Sequence, residues 1–210
     1  MFFKTDNHWL PETGLWASRK IADLLNNQYG YNFDLKKIEE SRFYKQVYHD
    51  WFLGSQGKKV TLQKASPEDF TLLFPDYPVA LHYEVMGESI DEDGDFSVMY
   101  NMDCVEECNY YKKKPYGAYI YGDQPLERVE NKNIADEKHV LILHDSFGNC
   151  VVPFLAMGIK QVDSIDLRHF TGSLKTFLKE EKPDSVIVMY NEDAIGPPKT
   201  PNWGYLFDFR

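Results

Sequence analysis

The sequence predicts an α/β fold with a central, mainly parallel β-sheet, and the pattern of its last third carries that prediction. Three apolar runs have the length and composition of strands: VLIL (residues 140–143), which has the pattern of a buried strand, VDSIDL (162–167) and DSVIVMYN (184–191). Residues 150–158 and 173–182 lie between them and have the pattern of helices. Strands that alternate with helices pair in parallel through right-handed crossovers, so these five elements predict one parallel sheet.

The first element of the chain is predicted to be an amphipathic helix that begins near Pro11 and ends at Gly30. Its apolar residues recur at helical spacing, namely Ala17, Ile21, Leu24 and Leu25. The segment KTDNHW (residues 4–9) therefore lies directly before a helix.

The middle of the chain, residues 31–137, predicts a loop-rich α+β insertion. It is rich in aromatic residues, carries the turn signals PDYP, DEDGD, KKPYG and YGDQP, and includes short β-like segments such as VALHYEV (residues 79–85). A chain of 210 residues with 43% hydrophobic content is long enough for one sizeable core, so we expect a single domain over residues 1–210.

The acidic composition argues against a nucleic-acid partner. The net charge is -10, the sequence pI is about 5.1, and the one basic run, residues 112–114, is typical of a solvated loop. No apolar stretch approaches the roughly 20 residues of a membrane span, and the first residues do not have the pattern of a signal peptide.

The three cysteines do not form a disulfide framework. Cys104 and Cys108 are close enough in sequence for a local disulfide, but they lack the second pair or histidines of a zinc site. Cys150 is expected to be a small buried apolar residue. We therefore expect no metal and no cofactor.

Two short stretches carry residues suited to catalysis. Ser146, in HDSFGN, follows a buried strand and precedes a helix, where it is either a nucleophile or an N-cap residue. A nucleophilic serine needs a base and an orienting acid, and His8 and Asp6 of KTDNHW could supply both. Asn191, at the end of the last strand, is either an oxyanion donor or a turn residue.

The quoted stretches resemble blocks of a known superfamily. HDSF at a strand end resembles the G-D-S-[FL] nucleophile block of the SGNH (GDSL-type) hydrolases, and YNED resembles their later Gly-x-Asn-Asp block. KTDNHW before a helix resembles the D-H-H-W signature of the DHHW family, whose relatives include alginate O-acetyltransferase-like proteins. Further blocks follow in that family's order: WFLGSQGKKV, PYGAYIYGDQPLERVEN, LILHDSFGNCVVPFLA, DSIDLRHF and VIVMYN.

This resemblance implies an SGNH-like three-layer sandwich and a Ser–His–Asp triad. Ser146 would be the nucleophile, His8 its base and Asp6 the acid that orients the base. Asn191 and the Ser146 backbone N–H would hold the oxyanion, and Gly54 with Ser55 in FLGSQG would supply a further donor.

The resemblance also implies a reaction and its partners. It implies serine-dependent acyl transfer or ester hydrolysis on O-acetyl groups of a cell-surface or extracellular polysaccharide. The partners would be an acyl donor and a carbohydrate acceptor, and the location would be extracytoplasmic, although this chain shows no export signal.

The chain departs from the family pattern at three points. Asn7 replaces the first histidine of D-H-H-W, and His144 stands where the nucleophile block usually begins with glycine. Family members also carry a membrane anchor and further sequence before D-H-H-W, so we expect a shortened member, a truncated product or an excised domain.

Other hypotheses remain open at this point. The main alternative is a catalytically inactive carbohydrate-binding or assembly protein with the same fold, motivated by His144 and the absent upstream part. A second has Asp6 and His8, joined by His144 and Asp145, as metal ligands. Aromatic side chains of the middle segment either form a sugar platform or pack in the core, namely Trp51, Tyr110, Tyr111, Tyr116 and Tyr119.

Overall fold

The computed structural model describes residues 1–191, which form an α/β fold built around a mixed β-sheet. The described strands are β1 (Phe43–Phe52), β2 (Glu68–Pro75), β3 (Leu81–Val85), β4 (Ile90–Gly94), β5 (Glu127–Asn131), β6 (His139–His144), β7 (Gln161–Ile165) and β8 (Ser185–Met189). The described α-helices are α1 (Pro11–Tyr29), α2 (Ser55–Val60), α3 (Val152–Leu155) and α4 (Leu174–Glu181). Short 3-10 helices occur at Leu35–Ile38, Glu40–Arg42, Phe96–Met99, Met102–Val105, Pro115–Ala118 and Gly148–Cys150.

The main sheet has six strands in the order β4-β3-β5-β7-β6-β8. β6 pairs in parallel with β7 and with β8, while the pairs β3–β4, β3–β5 and β5–β7 are antiparallel. The prediction of a mainly parallel sheet is therefore wrong: the sheet is mixed, and the parallel part is limited to the three strands that the apolar runs predicted.

The antiparallel half comes from the region predicted to be an insertion. β3, β4 and β5 all fall within residues 31–137, and they extend the sheet from β7 rather than forming a separate unit. The same region also contributes β1 and β2, which form a two-stranded antiparallel sheet. A hairpin needs only a tight turn, whereas a parallel pair needs a crossover, so short strands joined by loops add in antiparallel fashion.

The central strand of the parallel half, β6, is buried on both of its faces. Val140 and Ile142 of β6 belong to the main hydrophobic cluster, which also contains Leu25 of α1. Leu141 and Leu143 alternate with them and pack in a second cluster with α4 residues. Successive strand residues point to opposite faces, so α1 and α4 cover opposite sides of β6.

The first helix begins and ends where the sequence predicts. Pro11 occupies the first turn, and Gly30 ends the helix in the left-handed conformation (φ 69°), with its N–H donating to the Leu25 carbonyl. Leu25 is buried as expected, but Leu24 is exposed, so its predicted place on the apolar face is wrong.

The cysteines of the chain, all within the described residues, form no disulfide. Cys104, Cys108 and Cys150 are free thiols, and Cys150 is fully buried as predicted. Residues 192–210, which include two residues of the YNED block and the end of the predicted domain, lie outside the described residues. None of the helices within residues 1–191 combines the length and apolar composition that crossing a bilayer requires.

Candidate active site

Ser146 lies in a tight loop, here called the serine loop (residues 145–148), that directly follows β6. Asp145, which is fully buried, fixes this loop from both sides. One of its carboxylate oxygens accepts the Phe147 N–H at 3.0 Å, and the other accepts the Asn191 N–H at 2.8 Å. The loop is thereby tied to the chain just beyond β8, which places Ser146 and Asn191 at the same end of the sheet.

The serine hydroxyl contacts a histidine from the opposite end of the chain. The Ser146 Oγ lies 2.8 Å from the His8 Nε2, and the His8 Nδ1 bonds to the carboxylate of Asp6. The hydroxyl thus bonds to an imidazole rather than capping the next turn. Ser146, His8 and Asp6 are therefore hydrogen-bonded one after another, which is the arrangement of nucleophile, base and orienting acid in serine hydrolases.

Asp6 is held as a carboxylate by several donors. It accepts the Ser55 N–H at 2.5 Å and the His8 N–H at 3.0 Å, in addition to the His8 ring. Burial by itself would raise the pKa of Asp6, but the hydrogen bonds and the charge of His8 outweigh it and lower the pKa to about 2. Asp6 is therefore negatively charged at neutral pH, beside the ring that would receive a proton.

The segment that carries Asp6 is anchored by side chains far away in sequence. The Glu68 carboxylate on β2 accepts the N–H groups of Lys4 and Thr5, both at 2.8 Å, and also the Thr5 hydroxyl. The Gly54 N–H donates to the Thr5 Oγ1 at 2.9 Å. A segment with little regular structure of its own is thus fixed to β2 and to the start of α2.

Gly54 and Ser55 contact Asp6. A Cβ atom on Gly54 would lie 2.3 Å from the Asp6 Cβ, so only glycine fits there without displacement. The N–H groups of both residues are already bonded, to Thr5 and Asp6 respectively. These contacts favour a role in holding Asp6 over the predicted role as oxyanion donors.

Tyr116 supports the imidazole from one side. Its ring is stacked on His8, with 4.1 Å between ring centroids and 26° between planes, and its hydroxyl donates to the Ser146 carbonyl at 3.1 Å. The sequence offered no signal for this contact beyond an aromatic-rich segment. Tyr116 and Tyr119 are buried, which confirms core packing for these two aromatic residues.

A cleft of about 640 Å³ opens over the three residues. Asn191, Ser55 and Arg168 line it, as do the side chains of Lys58 and Lys114. The cleft does not favour the alternative of a sugar platform: of the five aromatic residues considered for it, all within the described part of the chain, only Tyr116 lines this cleft.

His144, at the position where related blocks carry glycine, does not line the cleft. Its ring is buried beneath the serine loop, and its Nε2 lies 3.0 Å from the Ser164 Oγ. Gly148 makes room for it, because a Cβ there would come within 2.3 Å of the imidazole Cγ. His144 therefore does not join Asp6 and His8 as a metal ligand.

A different group of possible metal donors lies beside the cleft. Asp123, Asp166 and His169 bring one donor atom each within 4.8 Å of one another. Arg168, however, already bonds to Asp166 at 2.5 Å and to Asp123 at 2.9 Å. The guanidinium supplies the positive charge that an ion would bring, so we assign no ion to this group.

The family described as DHHW protein matches residues 1–165. No match was found among curated proteins.

Solved structures share the fold at low sequence identity. A DHHW family protein from Eubacterium siraeum DSM 15702 aligns over 90% of this chain with 18% identity and a TM-score of 0.64. Bacillus cereus PatB1 with a sulfonyl adduct aligns over 98% of this chain, with 20% identity and a TM-score of 0.71. A second structure of PatB1 aligns over 94%, with 21% identity and the same TM-score. This chain spans 58% of the first protein and 64% of PatB1.

Proposed function

Because this chain belongs to the DHHW protein family, we propose that it is a serine-dependent esterase or acyltransferase that acts on O-acetyl groups. The observation that carries the proposal is the hydrogen-bonded chain from Asp6 through His8 to the Ser146 hydroxyl. The fold we propose is the SGNH-like three-layer sandwich, supported by the packing of α1 and α4 on opposite faces of β6.

The proposed reaction begins with attack of the Ser146 Oγ on the acyl carbonyl carbon. His8 Nε2 takes the hydroxyl proton, and Asp6 keeps the hydrogen of the ring on Nδ1 and stabilises the imidazolium. The carbonyl electrons move to the oxyanion, for which we propose the Ser146 N–H and the Asn191 side-chain amide as donors. When the tetrahedral intermediate collapses, His8 returns the proton to the leaving alcohol.

The second half-reaction decides between esterase and transferase. Water or a sugar hydroxyl gives its proton to His8 and attacks the acyl-serine, which releases acetate or an acetylated sugar. For acceptor and location we propose an extracytoplasmic polysaccharide, as the family suggests. Lys58 and Lys114 line the cleft and would contact that acceptor.

The test is hydrolysis of p-nitrophenyl acetate together with labelling by a sulfonyl fluoride, because a sulfonyl adduct is present on PatB1. We expect Ser146→Ala and His8→Gln each to lower hydrolysis by at least about 100-fold, and Ser146→Ala to abolish labelling. Equal rates in all variants, or no labelling of the wild type, would favour the inactive binding protein instead.

The chain offers a matched control for the histidine. His49 also pairs with an aspartate, with its Nδ1 3.1 Å from the Asp69 carboxylate, but it is exposed and lies outside the cleft. His49→Gln should leave the rate unchanged. A similar loss in this variant would point to a general effect of histidine replacement.

A further inference from the structure

A row of buried polar side chains crosses the sheet beneath the serine loop. Tyr83, Glu127, Ser164 and His144 lie on the adjacent strands β3, β5, β7 and β6, and each is at most 1% exposed. The Tyr83 hydroxyl lies 2.5 Å from one Glu127 oxygen, and the other Glu127 oxygen lies 2.6 Å from the Ser164 Oγ. The Ser164 Oγ lies 3.0 Å from the His144 Nε2. The other nitrogen of that ring, Nδ1, lies 2.7 Å from the Asp145 carbonyl oxygen.

The number of hydrogens in this row is fixed by its acceptors. A carbonyl oxygen only accepts, so the His144 Nδ1 carries a hydrogen. Ser164 has one hydroxyl hydrogen but lies between two groups, the His144 Nε2 and a Glu127 oxygen. If His144 were neutral and Glu127 ionised, both would be acceptors and one would lack a donor, which is costly for a buried group.

One additional proton satisfies every contact. On Glu127 it makes the carboxylic acid donate to Ser164, which then donates to His144. On the His144 Nε2 it reverses both donations, so the two arrangements differ only in where the protons lie along the row.

We infer that Glu127, Ser164 and His144 share this one proton and that its presence holds the serine loop in the geometry needed for acyl transfer. The inference rests on the function proposed above. None of the three residues lines the cleft. They are positioning residues that act through the Asp145 carbonyl.

Loss of the proton has a defined structural consequence. Hydroxide removes it and becomes water, which leaves Glu127 as a carboxylate. The Ser164 hydroxyl then donates to that carboxylate, and His144 satisfies Ser164 only by moving its hydrogen from Nδ1 to Nε2. The Nδ1 lone pair then faces the Asp145 carbonyl oxygen, and the hydrogen bond that supports the serine loop is lost.

Burial, with a smaller effect of nearby charges, keeps the proton on Glu127 at neutral pH. Burial raises the pKa of Glu127 to about 8, and the carboxylates of Asp123 and Asp166 add to the rise against the hydrogen bonds it accepts. Burial lowers the pKa of His144 and so also favours its neutral form, although the bond to the Asp145 carbonyl and the nearby carboxylates act in the opposite direction. Arg168 balances Asp123 and Asp166 by pairing with both.

The first test is the pH dependence of p-nitrophenyl acetate hydrolysis. In the wild type we expect kcat to fall about tenfold per pH unit above about pH 8, as for a one-proton loss. Glu127→Gln donates to Ser164 and accepts from Tyr83 without titrating, so its rate should stay level there. Glu130→Gln is the matched control: it removes a carboxylate from the same strand, paired with Lys160 at 3.0 Å, and should keep the alkaline fall.

The second test does not depend on activity. Nitrogen NMR of the Ser146→Ala protein, with the His144 signals assigned by His144→Gln, should show hydrogen on Nδ1 at pH 7 and on Nε2 above about pH 9. In Glu127→Gln the hydrogen should remain on Nδ1 across this range. Circular dichroism at each pH verifies that the chain stays folded.

The two tests separate the row from the function. If the His144 tautomer changes with pH but the wild-type protein has no esterase activity, the shared proton is supported and the proposed function is contradicted. An unchanged Nδ1 signal up to pH 10 in the folded protein, or an alkaline fall that persists in Glu127→Gln, would overturn the inference.

Discussion

Replacing Asp6 with asparagine should weaken both the fold and the reaction. The carboxylate accepts three hydrogen bonds, from the His8 ring, the His8 N–H and the Ser55 N–H. An asparagine side chain has one acceptor oxygen and one donor NH₂. In one orientation the NH₂ faces the His8 ring and the His8 N–H, and in the other it faces the Ser55 N–H, so at least one contact becomes donor against donor.

The expected size of the stability change follows from the pKa of Asp6. It falls from 3.8 to about 2 on folding, a difference of about 1.8 pH units, which corresponds to at most about 2.5 kcal/mol. Because the residue lies at the edge of a solvated cleft, we expect about 1–2 kcal/mol. A carboxyl with a depressed pKa stabilises the fold above its unfolded-state pKa and loses that contribution as the pH falls toward 2.

The assay is urea unfolding of wild type and Asp6→Asn between pH 7 and pH 3, with hydrolysis measured at pH 7. The stability difference should be largest at pH 7 and shrink at pH 3, and kcat should fall by about 10²–10⁴ because the imidazole loses its fixed tautomer. Asp69→Asn, at the exposed partner of His49, should leave the rate unchanged. A stability difference that does not vary with pH, or an Asp6→Asn rate within twofold of wild type, would refute this reasoning.

Three further changes test other parts of the structure. Glu127→Gln should be increasingly more stable than wild type from about pH 5 to pH 8, by up to about 1.4 kcal/mol per pH unit, because the raised pKa of Glu127 makes its ionisation destabilising; urea unfolding measures this. Gly148→Ala puts a methyl group 2.3 Å from the His144 Cγ and should lower the melting temperature by at least about 5 °C in a thermal scan. Glu68→Gln removes an acceptor from Thr5 and should raise amide hydrogen exchange at residues 3–9 while lowering hydrolysis several-fold; unchanged exchange would show that this carboxylate does not anchor the segment.

The part of the fold that the sequence predicted is the part with a strong apolar pattern. β6 is buried throughout and its four central residues are apolar, so it was recognisable as a strand. β5 reads ERVEN, which looks like a polar loop, yet it is a central strand. Its first residue, Glu127, is buried and forms the hydrogen bonds of the row, and Arg128 pairs with Asp163 on β7 and Glu181 on α4. Polar side chains that are satisfied by tertiary contacts cannot be told from solvated ones in a single sequence.

The candidate site was predictable for a different reason. Ser146, His8 and Asp6 each belong to a short motif whose residue types suit one reaction, and the structure brings the three together. Their catalytic roles stay predictions. The contacts of Tyr116 and Glu68 with these residues were not predictable, because both side chains come from segments whose position depends on the whole fold.

Two buried carboxyl groups near Ser146 have pKa values displaced in opposite directions. Asp6 receives several donors and stays ionised, while Glu127 is fully buried within the sheet and stays protonated until about pH 8. Between pH 5 and pH 8 the negative charge is therefore on the side of His8, where an imidazolium forms during the proposed reaction, and not beneath the serine loop. A carboxylate at Glu127 would attract a proton to His144 or disrupt its bond to the loop. Because the two pKa values are displaced in opposite directions, the ionised Asp6 can orient His8 while the protonated Glu127 supports the backbone of the serine loop, within the same pH range.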